Sequence, residues 1–492
     1  MNCKFVDLLF AAVTTVAVSA CTLTQIEDIG YVEEDGLVTV TATAEPYGGD
    51  VRTSLQPDGS TIYWNPGDEI KLFAEEESAK FTSVNTVSGM TAKFKGMLSF
   101  AFGSNEGGDG STYLWGLNPY QEDASFDGSA ITATVPTVQE GVPGSFGKGT
   151  FLSIAKSDSW NLTYYNLCGG LKFNLKHAGI NKVILKSNGG ETLSGKVKIG
   201  VDGSKHPYVT EVVNGVDSLV LVPAEGDAFI PGQNYYFSCL PVTMSSGLTL
   251  KFIGDCATAQ LVSTKSNTIK RSVFGNVGTV DKNLVYTPVL VDLGLNVKWG
   301  ACNLGASSAE EYGGYYAWGE LETKSEYRWT TYKYSLDTEG TSFSKYTGED
   351  YTVLESSDDI AHETFGDKWR IPTQKDFEDL KNPDNCTWTW TQVNGVNGYR
   401  VTSKKDGFVG NSIFLPAAGL FPGQSLYKGG ISGFYWSSSL YSGDQQCAFD
   451  LNFDSESYVS PGNGKRCYGR TVRPVQVKTE KITIIIGFDD LS

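Results

Sequence analysis

A cysteine thiol preceded by small residues is the first group in the sequence that could take part in a reaction. Cys21 follows Val18-Ser19-Ala20, and these residues end an apolar run that begins at Leu8. A short lead with Lys4 as its only cationic side chain precedes the run, which is the layout of a signal peptide. The run is too short to span a bilayer, which takes about 20 apolar residues. A thiol at the cleavage point is a nucleophile that can accept acyl chains.

Val-Ser-Ala-Cys resembles the lipobox of bacterial lipoproteins, in which the cysteine is acylated and becomes the first mature residue. The resemblance implies a signal peptide over 1–20, lipidation of Cys21 and anchoring in the outer membrane by several acyl chains. An ordinary secretory signal with a chance cysteine is the alternative. Residues 21–36 are acidic, lack Lys and Arg, and are predicted to be an unfolded tether. Within them, Gln25-Ile26-Glu27-Asp28 also resembles an acidic signal for export to the cell surface, and a merely solvated linker is the alternative.

Composition limits the classes of protein that the chain can belong to. The 492 residues carry a formal charge of −17, so phosphates would be repelled and no nucleic-acid partner is expected. Few charges and many aromatic residues favour a mainly β extracellular protein. His177, His206 and His362 lie far apart and share no metal-ligand spacing, so neither a metal nor another cofactor is predicted. Because no catalytic constellation is present, we also predict that the protein is not an enzyme.

The cysteines that follow Cys21 leave the disulfide pattern open. None forms a CxxC pair, which excludes zinc ribbons and thioredoxin-like chemistry. Exported cysteines can pair, but reduced buried cysteines are equally compatible with the sequence. The residues in question are Cys168, Cys239, Cys256, Cys302, Cys386, Cys447 and Cys467.

The region 37–283 is rich in short strands separated by turns. Residues 38–44 alternate Val or Ala with Thr, which predicts a half-buried strand. Residues 61–64 and 69–73 flank an Asn-Pro-Gly-Asp turn, which predicts a hairpin. Strands continue without a long helical period, so we predict two β-sandwiches, over 37–165 and 166–283.

Five segments in order resemble the fimbrillin-like proteins, which are pilins and pilin-related lipoproteins. The resemblance implies two tandem transthyretin-like β-sandwiches. It also implies an assembly in which a protease cuts after an arginine, the first strand is lost, and a strand from another pilin subunit replaces it. The segments are Arg52-Thr53, Trp64-Asn65-Pro66-Gly67-Asp68-Glu69-Ile70, Val135-Pro136-Thr137-Val138-Gln139, Tyr165-Asn166-Leu167-Cys168-Gly169-Gly170-Leu171-Lys172-Phe173 and Pro231-Gly232-Gln233-Asn234-Tyr235-Tyr236.

Arg52 is the candidate processing site. No other Lys or Arg lies between Cys21 and Arg52, so an arginine-specific protease could cut this stretch only there. Such a cut would discard the tether and the strand at 38–44. The alternative is that Arg52 is an ordinary loop residue in an uncut lipoprotein.

The region 289–477 has a different character. Its segments Tyr312–Glu320, Trp369–Thr373, Tyr435–Ser439 and Thr471–Val475 resemble the major paralogous (FISUMP-type) domain, a relative of the C-type-lectin-like fold. The resemblance implies an α+β domain and fixes no function. Capping-box patterns predict one short helix at Ser308–Glu311 and another after Thr373.

Aromatic side chains of this domain could stack on sugars. Trp318 and Trp436 lie in apolar motifs and are predicted to be core, whereas Trp329 and Tyr427 lie in apparent loops and are the candidate ligand contacts. Packing is the alternative for each. The carboxylates of Asp444, Asp450 and Asp454 could likewise form a site or a solvated rim.

Residues 478–492 end the chain with an apolar strand pattern. Four apolar residues alternate over 482–488, and such a strand must pair within its own chain or with a neighbouring subunit. With the resemblance to the fimbrillin-like proteins, these features imply a surface-exposed outer-membrane lipoprotein that serves as a fimbrial tip or accessory adhesin. Its expected ligand is a glycan or another molecule on a host or bacterial surface. The alternative is a solitary glycan-binding lipoprotein for polysaccharide capture.

Overall fold

The computed structural model describes residues 37–45, 63–99, 113–348, 351–456 and 458–478. The predicted mainly β fold is confirmed, since strands make up 48% and helices 5% of the described residues. The predicted signal peptide, the tether with Cys21, Arg52 and residues 479–492 lie outside the described residues. Within the described ranges, no helix has both the length and the apolar character that a membrane crossing takes.

Seven of the first ten strands close into a barrel, in the order β1-β10-β9-β5-β2-β3-β4. β1 lies antiparallel to β4 on one side and parallel to β10 on the other. The ten strands are β1 Val38–Ala44, β2 Glu69–Ala74, β3 Glu77–Ser83, β4 Thr91–Gly96, β5 Leu114–Asn118, β6 Ser125–Phe126, β7 Ile131–Val135, β8 Val138–Gly141, β9 Ser153–Ser157 and β10 Asn161–Asn166.

The turn predicted at 65–68 is present, but the described residues do not form the predicted hairpin, and residues 61 and 62 of its first strand lie outside the described residues. The Asp68 N–H donates to the Asn65 carbonyl at 3.1 Å, and Gly67 takes the left-handed φ of +76° that the turn requires. β2 then pairs with β3 and β5, while Trp64 forms an isolated bridge with Gly89. The turn at 75–76 joins β2 directly to β3, so β2 takes its local partner from the residues that follow it.

The second group of strands forms sheets that also use β6, β7 and β8. A six-stranded sheet has the order β22-β19-β18-β12-β15-β8, and a four-stranded sheet has the order β14-β13-β7-β6. Strands that precede residue 165 therefore pair with strands that follow it. The strands are β11 Gly169–Asn174, β12 Ile180–Ser187, β13 Ser194–Val201, β14 Pro207–Val216, β15 Ser218–Pro223, β16 Asn234–Cys239, β17 Val242–Met244, β18 Leu248–Gly254, β19 Ala257–Ser263, β20 Asn267–Ile269, β21 Phe274–Thr279 and β22 Thr287–Pro288.

The C-terminal region combines three small sheets with two short helices and long loops. The sheets have the orders β23-β24-β32-β25, β26-β27-β28 and β29-β30-β31. The elements are β23 Leu290–Val291, β24 Val297–Gly300, α1 Ile360–Phe365, β25 Trp369–Arg370, α2 Gln374–Lys381, β26 Cys386–Val393, β27 Val396–Ser403, β28 Ser412–Pro416, β29 Ser432–Leu440, β30 Cys447–Asp454, β31 Tyr458–Lys465 and β32 Val475–Val477, with 3₁₀ turns at Trp329–Thr331 and Ser356–Asp358.

One of the two helices predicted from capping boxes is confirmed. The Thr373 hydroxyl accepts from the Asp376 N–H at 3.2 Å, the Asp376 carboxylate accepts from the Thr373 N–H at 2.7 Å, and α2 follows. The helix predicted at Ser308–Glu311 is wrong, because these residues form a turn. Gly313 lies two residues after Glu311 and has a left-handed φ of +71°, so a helix that began at Ser308 could not grow beyond its first turn.

Buried Arg473 connects separate segments of the C-terminal region. Its guanidinium donates to the carbonyls of Gly300 (3.1 Å), Ala301 (2.6 Å) and Phe414 (2.6 Å), and to the Asn303 Oδ1 at 2.9 Å. Burial lowers the pKa of Arg473 to about 10. Because acceptors from two distant chain segments meet one side chain, Arg473 is a structural residue of this region.

A disulfide joins Cys256 to Cys302, a pairing that the sequence left open. It links the turn between β18 and β19 to the residues that follow β24. Five further cysteines among the described residues are free and buried: Cys168, Cys239, Cys386, Cys447 and Cys467.

Candidate functional site

Strand β1 is bonded on both of its edges. Its residues 38–43 pair with β4, and its residues 41–44 pair with β10. The Thr41 N–H also donates to the Trp160 carbonyl, and the Ala44 N–H to the Met90 carbonyl, each at 3.0 Å. β1 therefore closes the barrel, and without it β4 and β10 would each present an unpaired edge.

The inward side chains of β1 form part of the barrel core. Val38, Val40 and Ala42 are fully buried in one cluster that includes the rings of Trp64 and Tyr164. These rings lie 5.3 Å apart in an edge-to-face arrangement. Burial of a valine side chain contributes roughly 1.5–3 kcal/mol, so loss of β1 would remove several kcal/mol from the barrel.

Ala44 packs into the neighbouring core rather than into the barrel centre. This second cluster contains residues of the barrel and residues of the following sheets, such as Val197 and Tyr236. The first part of β1 thus packs in the barrel core, and its last residue packs in the neighbouring core. Its last residues mark the point where the barrel meets the second group of sheets.

Glu45, the residue directly after β1, is bound by residues that are distant in the sequence. The carboxylate of Glu45 accepts from Arg271 through both prongs, at 2.8 Å from Nη1 to Oε2 and 2.8 Å from Nη2 to Oε1. Asn166 donates its N–H at 3.0 Å and its Nδ2 at 3.1 Å, and the Ser272 hydroxyl donates at 2.9 Å. Sequence reasoning missed this contact because Glu45 and Arg271 are 226 residues apart.

The electrostatics of Glu45 reflect two opposing effects. Burial raises the pKa of Glu45, whereas the hydrogen bonds from Arg271, Asn166 and Ser272 and the positive charge of Arg271 lower it. The net result is a pKa below the ordinary glutamate value. The ionised form is therefore the form that this contact stabilises.

Trp329, a predicted ligand contact, is largely occupied by packing. It opens a 3₁₀ turn, and its ring lies 5.7 Å from the rings of both Tyr332 and Phe343. A Cβ added to Gly340 would collide with the indole, so one face of the ring is covered. Trp318 and Trp436, predicted to be core, are buried as expected.

Tyr427, the other predicted contact, lies on an exposed loop. It pairs through its backbone with Leu420, and the residue is 52% exposed. Leu426 and Ile431 of the same loop are also exposed, and Lys428 lies 5.6 Å from the Tyr427 ring. The rings of Tyr427 and Trp329 do not contact each other among the described residues.

The three carboxylates that could have formed a site are not gathered into one. Asp450 is buried and paired with Arg470. Asp444 and Asp454 accept backbone N–H groups of Gln446 and Glu456 at 2.9 and 3.0 Å. In the part of the chain that the structure describes, no cluster of His, Cys, Asp and Glu side chains could hold a metal ion.

Comparisons with known proteins yield only distant likenesses. No family model and no curated protein matches the chain. A proposed cell adhesion protein from Bacteroides ovatus has a TM-score of 0.30 and 13% identity over 50% of this chain and 94% of its own. A fimbrial protein from the same species has a TM-score of 0.22 and 10% identity over 89% of this chain and 98% of its own. These likenesses are too weak to carry an argument.

Proposed function

We propose that this chain is a cell-surface lipoprotein of the fimbrillin-like class that acts as a fimbrial tip or accessory adhesin subunit and not as an enzyme. Acylated Cys21 anchors it in the outer membrane, and residues 21–36 form the tether. Its partners are other pilin subunits, joined by strand exchange, and a glycan or other surface ligand. Its folded regions span 37–165, 166–283 and 289–477. The first two regions are joined, because β7 and β8 pair with strands that follow residue 166.

The position of β1 carries the proposal. β1 closes the barrel between β4 and β10, and it precedes Arg52 in the chain. One cut after Arg52 therefore separates β1 covalently from the other barrel strands. Because unpaired buried backbone groups cost roughly 1–3 kcal/mol each, the opened groove favours uptake of another extended strand.

The C-terminal region supplies the adhesive part of the proposal. Its loops carry Leu426, Tyr427 and Ile431 as exposed apolar side chains close together in sequence. Tyrosine combines a large apolar face with a hydroxyl, which suits contact with sugars and with protein surfaces. Tyr427 is therefore the preferred ligand contact, and Trp329 is a secondary one because of its packing.

Strand exchange is tested by cutting a form of the chain that lacks the lipidated cysteine, residues 22–492, with an arginine-specific protease. We expect a new N-terminus at Thr53 and uptake of a labelled peptide of residues 37–46. An Arg52→Gln variant should resist this cut and take up no peptide. Preferential cutting at Arg328, whose side chain is 61% exposed, with β1 left in place would contradict the proposal.

A solitary glycan-binding lipoprotein is the second candidate, favoured by the exposure of Tyr427. The uncut chain would then bind sugars on an array, and Tyr427→Ala would abolish binding. Strand uptake after cleavage would argue for the fimbrial function instead, because a solitary receptor has no use for an open groove.

A further inference from the structure

The groups that bind the Glu45 carboxylate at the end of β1 all come from other parts of the chain. Asn166 ends β10, and Arg271 and Ser272 lie in the connection between β20 and β21. These three residues, which we call the carboxylate site, surround a single side chain of the β1 segment, Glu45. The site would therefore stay with the rest of the folded chain if β1 were released.

The donors of the carboxylate site are held in place by contacts that do not involve Glu45. Arg271 Nη1 donates to the Asn166 carbonyl at 3.0 Å, and Asn166 Nδ2 lies 3.3 Å from the Ser272 hydroxyl. The Ser272 N–H donates to the Cys168 carbonyl at 2.9 Å, and Ser272 has a left-handed φ of 61°. A non-glycine residue keeps such a backbone only where its surroundings fix it, so the site is preorganised.

We propose that the carboxylate site selects the strand that replaces β1, by requiring Asp or Glu directly after the last inward-facing apolar residue. This inference rests on the proposed replacement of β1 after cleavage. The strand it fits carries small apolar residues at four alternate positions and then an acid, as Val38, Val40, Ala42, Ala44 and Glu45 do. A planar guanidinium that binds both oxygens distinguishes a carboxylate from an amide in charge and geometry.

The site also fixes the register of the incoming strand. Side chains of a strand alternate between its faces, so a slip of one residue turns every apolar side chain outward. The groove between β4 and β10 accepts an extended backbone of any sequence, because the edges of the two strands bond to its N–H and C=O groups. An acid bound at Arg271 adds a fixed end point, and the four apolar residues before it then face the core.

The test uses the full mature chain with residues 47–52 replaced by the recognition sequence of a site-specific protease. After cutting, fluorescent peptides of residues 37–46 that carry Glu45 or Glu45→Gln are titrated into the protein. The released strand competes equally with both peptides, so the ratio of their apparent affinities reports on the one side chain.

We expect the Gln peptide to bind about 10- to 100-fold more weakly, as loss of hydrogen bonds to a charged group implies. In an Arg271→Gln protein the two peptides should differ by no more than about twofold, whereas an Arg328→Gln control should keep the full difference. Equal binding of both peptides to the protein that retains Arg271 would overturn the selection. Failure of both peptides to bind would overturn the replacement of β1 itself, and the site would then be only an ion pair within the chain.

Discussion

Cys256 and Cys302 are joined by a disulfide with their Cα atoms 5.2 Å apart, and the bond ties the second group of sheets to the C-terminal region. Val289 lies in the segment between them. Its N–H donates to the Cys256 carbonyl at 2.9 Å, and its carbonyl accepts from the Ala301 N–H at 2.8 Å. The segment that links the two regions is thus fixed by a covalent bond and by backbone hydrogen bonds at the same place.

Removing this disulfide should destabilise the junction. In a Cys256→Ser, Cys302→Ser double variant we expect the free energy of unfolding to fall by about 2–4 kcal/mol, because the cross-link restricts the unfolded chain. Urea unfolding followed by tryptophan fluorescence measures the change. Excess reductant should bring the wild-type protein to the value of the variant, and identical unfolding curves without reductant would show that the bond does not form.

The contact of Glu45 should make the stability of the barrel depend on pH. The pKa of Glu45 is lowered, so its stabilisation is complete above its ordinary value of about 4.3 and is lost as the pH falls through the lowered value. At pH 7 we expect Glu45→Gln to cost about 1–3 kcal/mol in the free energy of unfolding. The cost should shrink towards pH 3, as denaturant unfolding at several pH values will report.

The control for this measurement is a carboxyl that does not take part in the charged contacts around Glu45. Arg271 is its cationic partner. The pKa of Asp202 is lowered chiefly by the hydrogen bond from the backbone N–H of His206 and, to a smaller extent, by the charge of Arg271. A Glu225→Gln variant changes an exposed carboxyl elsewhere and should leave the pH dependence unchanged. A cost of Glu45→Gln that is the same at pH 7 and pH 3 would mean that the ion pair contributes nothing.

Arg473 should be among the residues of the C-terminal region that tolerate replacement least. Arg473→Met leaves several buried acceptors without a donor, and we expect a loss of about 3 kcal/mol or more in the free energy of unfolding. Arg328→Met is the matched control, since its exposed pair with Glu326 should be worth about 1 kcal/mol or less. Equal effects of the two replacements in thermal unfolding would refute the structural role of Arg473.

The two predicted ligand contacts should respond differently to truncation. Trp329→Ala removes a ring packed on Tyr332 and Phe343, and we expect a loss of about 2–4 kcal/mol in stability. Tyr427→Ala should change stability by about 0.5 kcal/mol or less, because the residue is exposed. Differential scanning calorimetry separates the two cases, and a large loss in the Tyr427 variant would show that its ring packs.

The C-terminal segment offers a test of the pattern found in β1. Residues 482–488 alternate apolar side chains and Asp489 follows directly, as Glu45 follows Ala44. A peptide of residues 481–490 should compete for the opened groove, and its Asp489→Asn form should compete about tenfold less well. Absence of competition would favour pairing of this segment within its own chain.

Short-range patterns in the sequence determine many of the local elements of the fold. The alternation in β1, the turn at 65–68, the capping box of α2 and the burial of Trp318 and Trp436 all follow from residues that lie close together in sequence. Periodicity and capping act over a few residues, so they can be recognised without knowledge of the chain path. The same short range explains why the helix predicted at Ser308–Glu311 is wrong. The capping pattern covers only these four residues, and the left-handed backbone of Gly313 prevents a helix from continuing after them.

Tertiary structure alone decided which distant residues meet. Nothing local in the sequence marks Arg271 as the partner of Glu45, Cys302 as the partner of Cys256, or Arg473 as a buried side chain. These contacts depend on the order of strands in the barrel and on where the C-terminal region folds back. Sequence therefore determined the strands, and the path of the chain placed a cation at the end of the strand that closes the barrel.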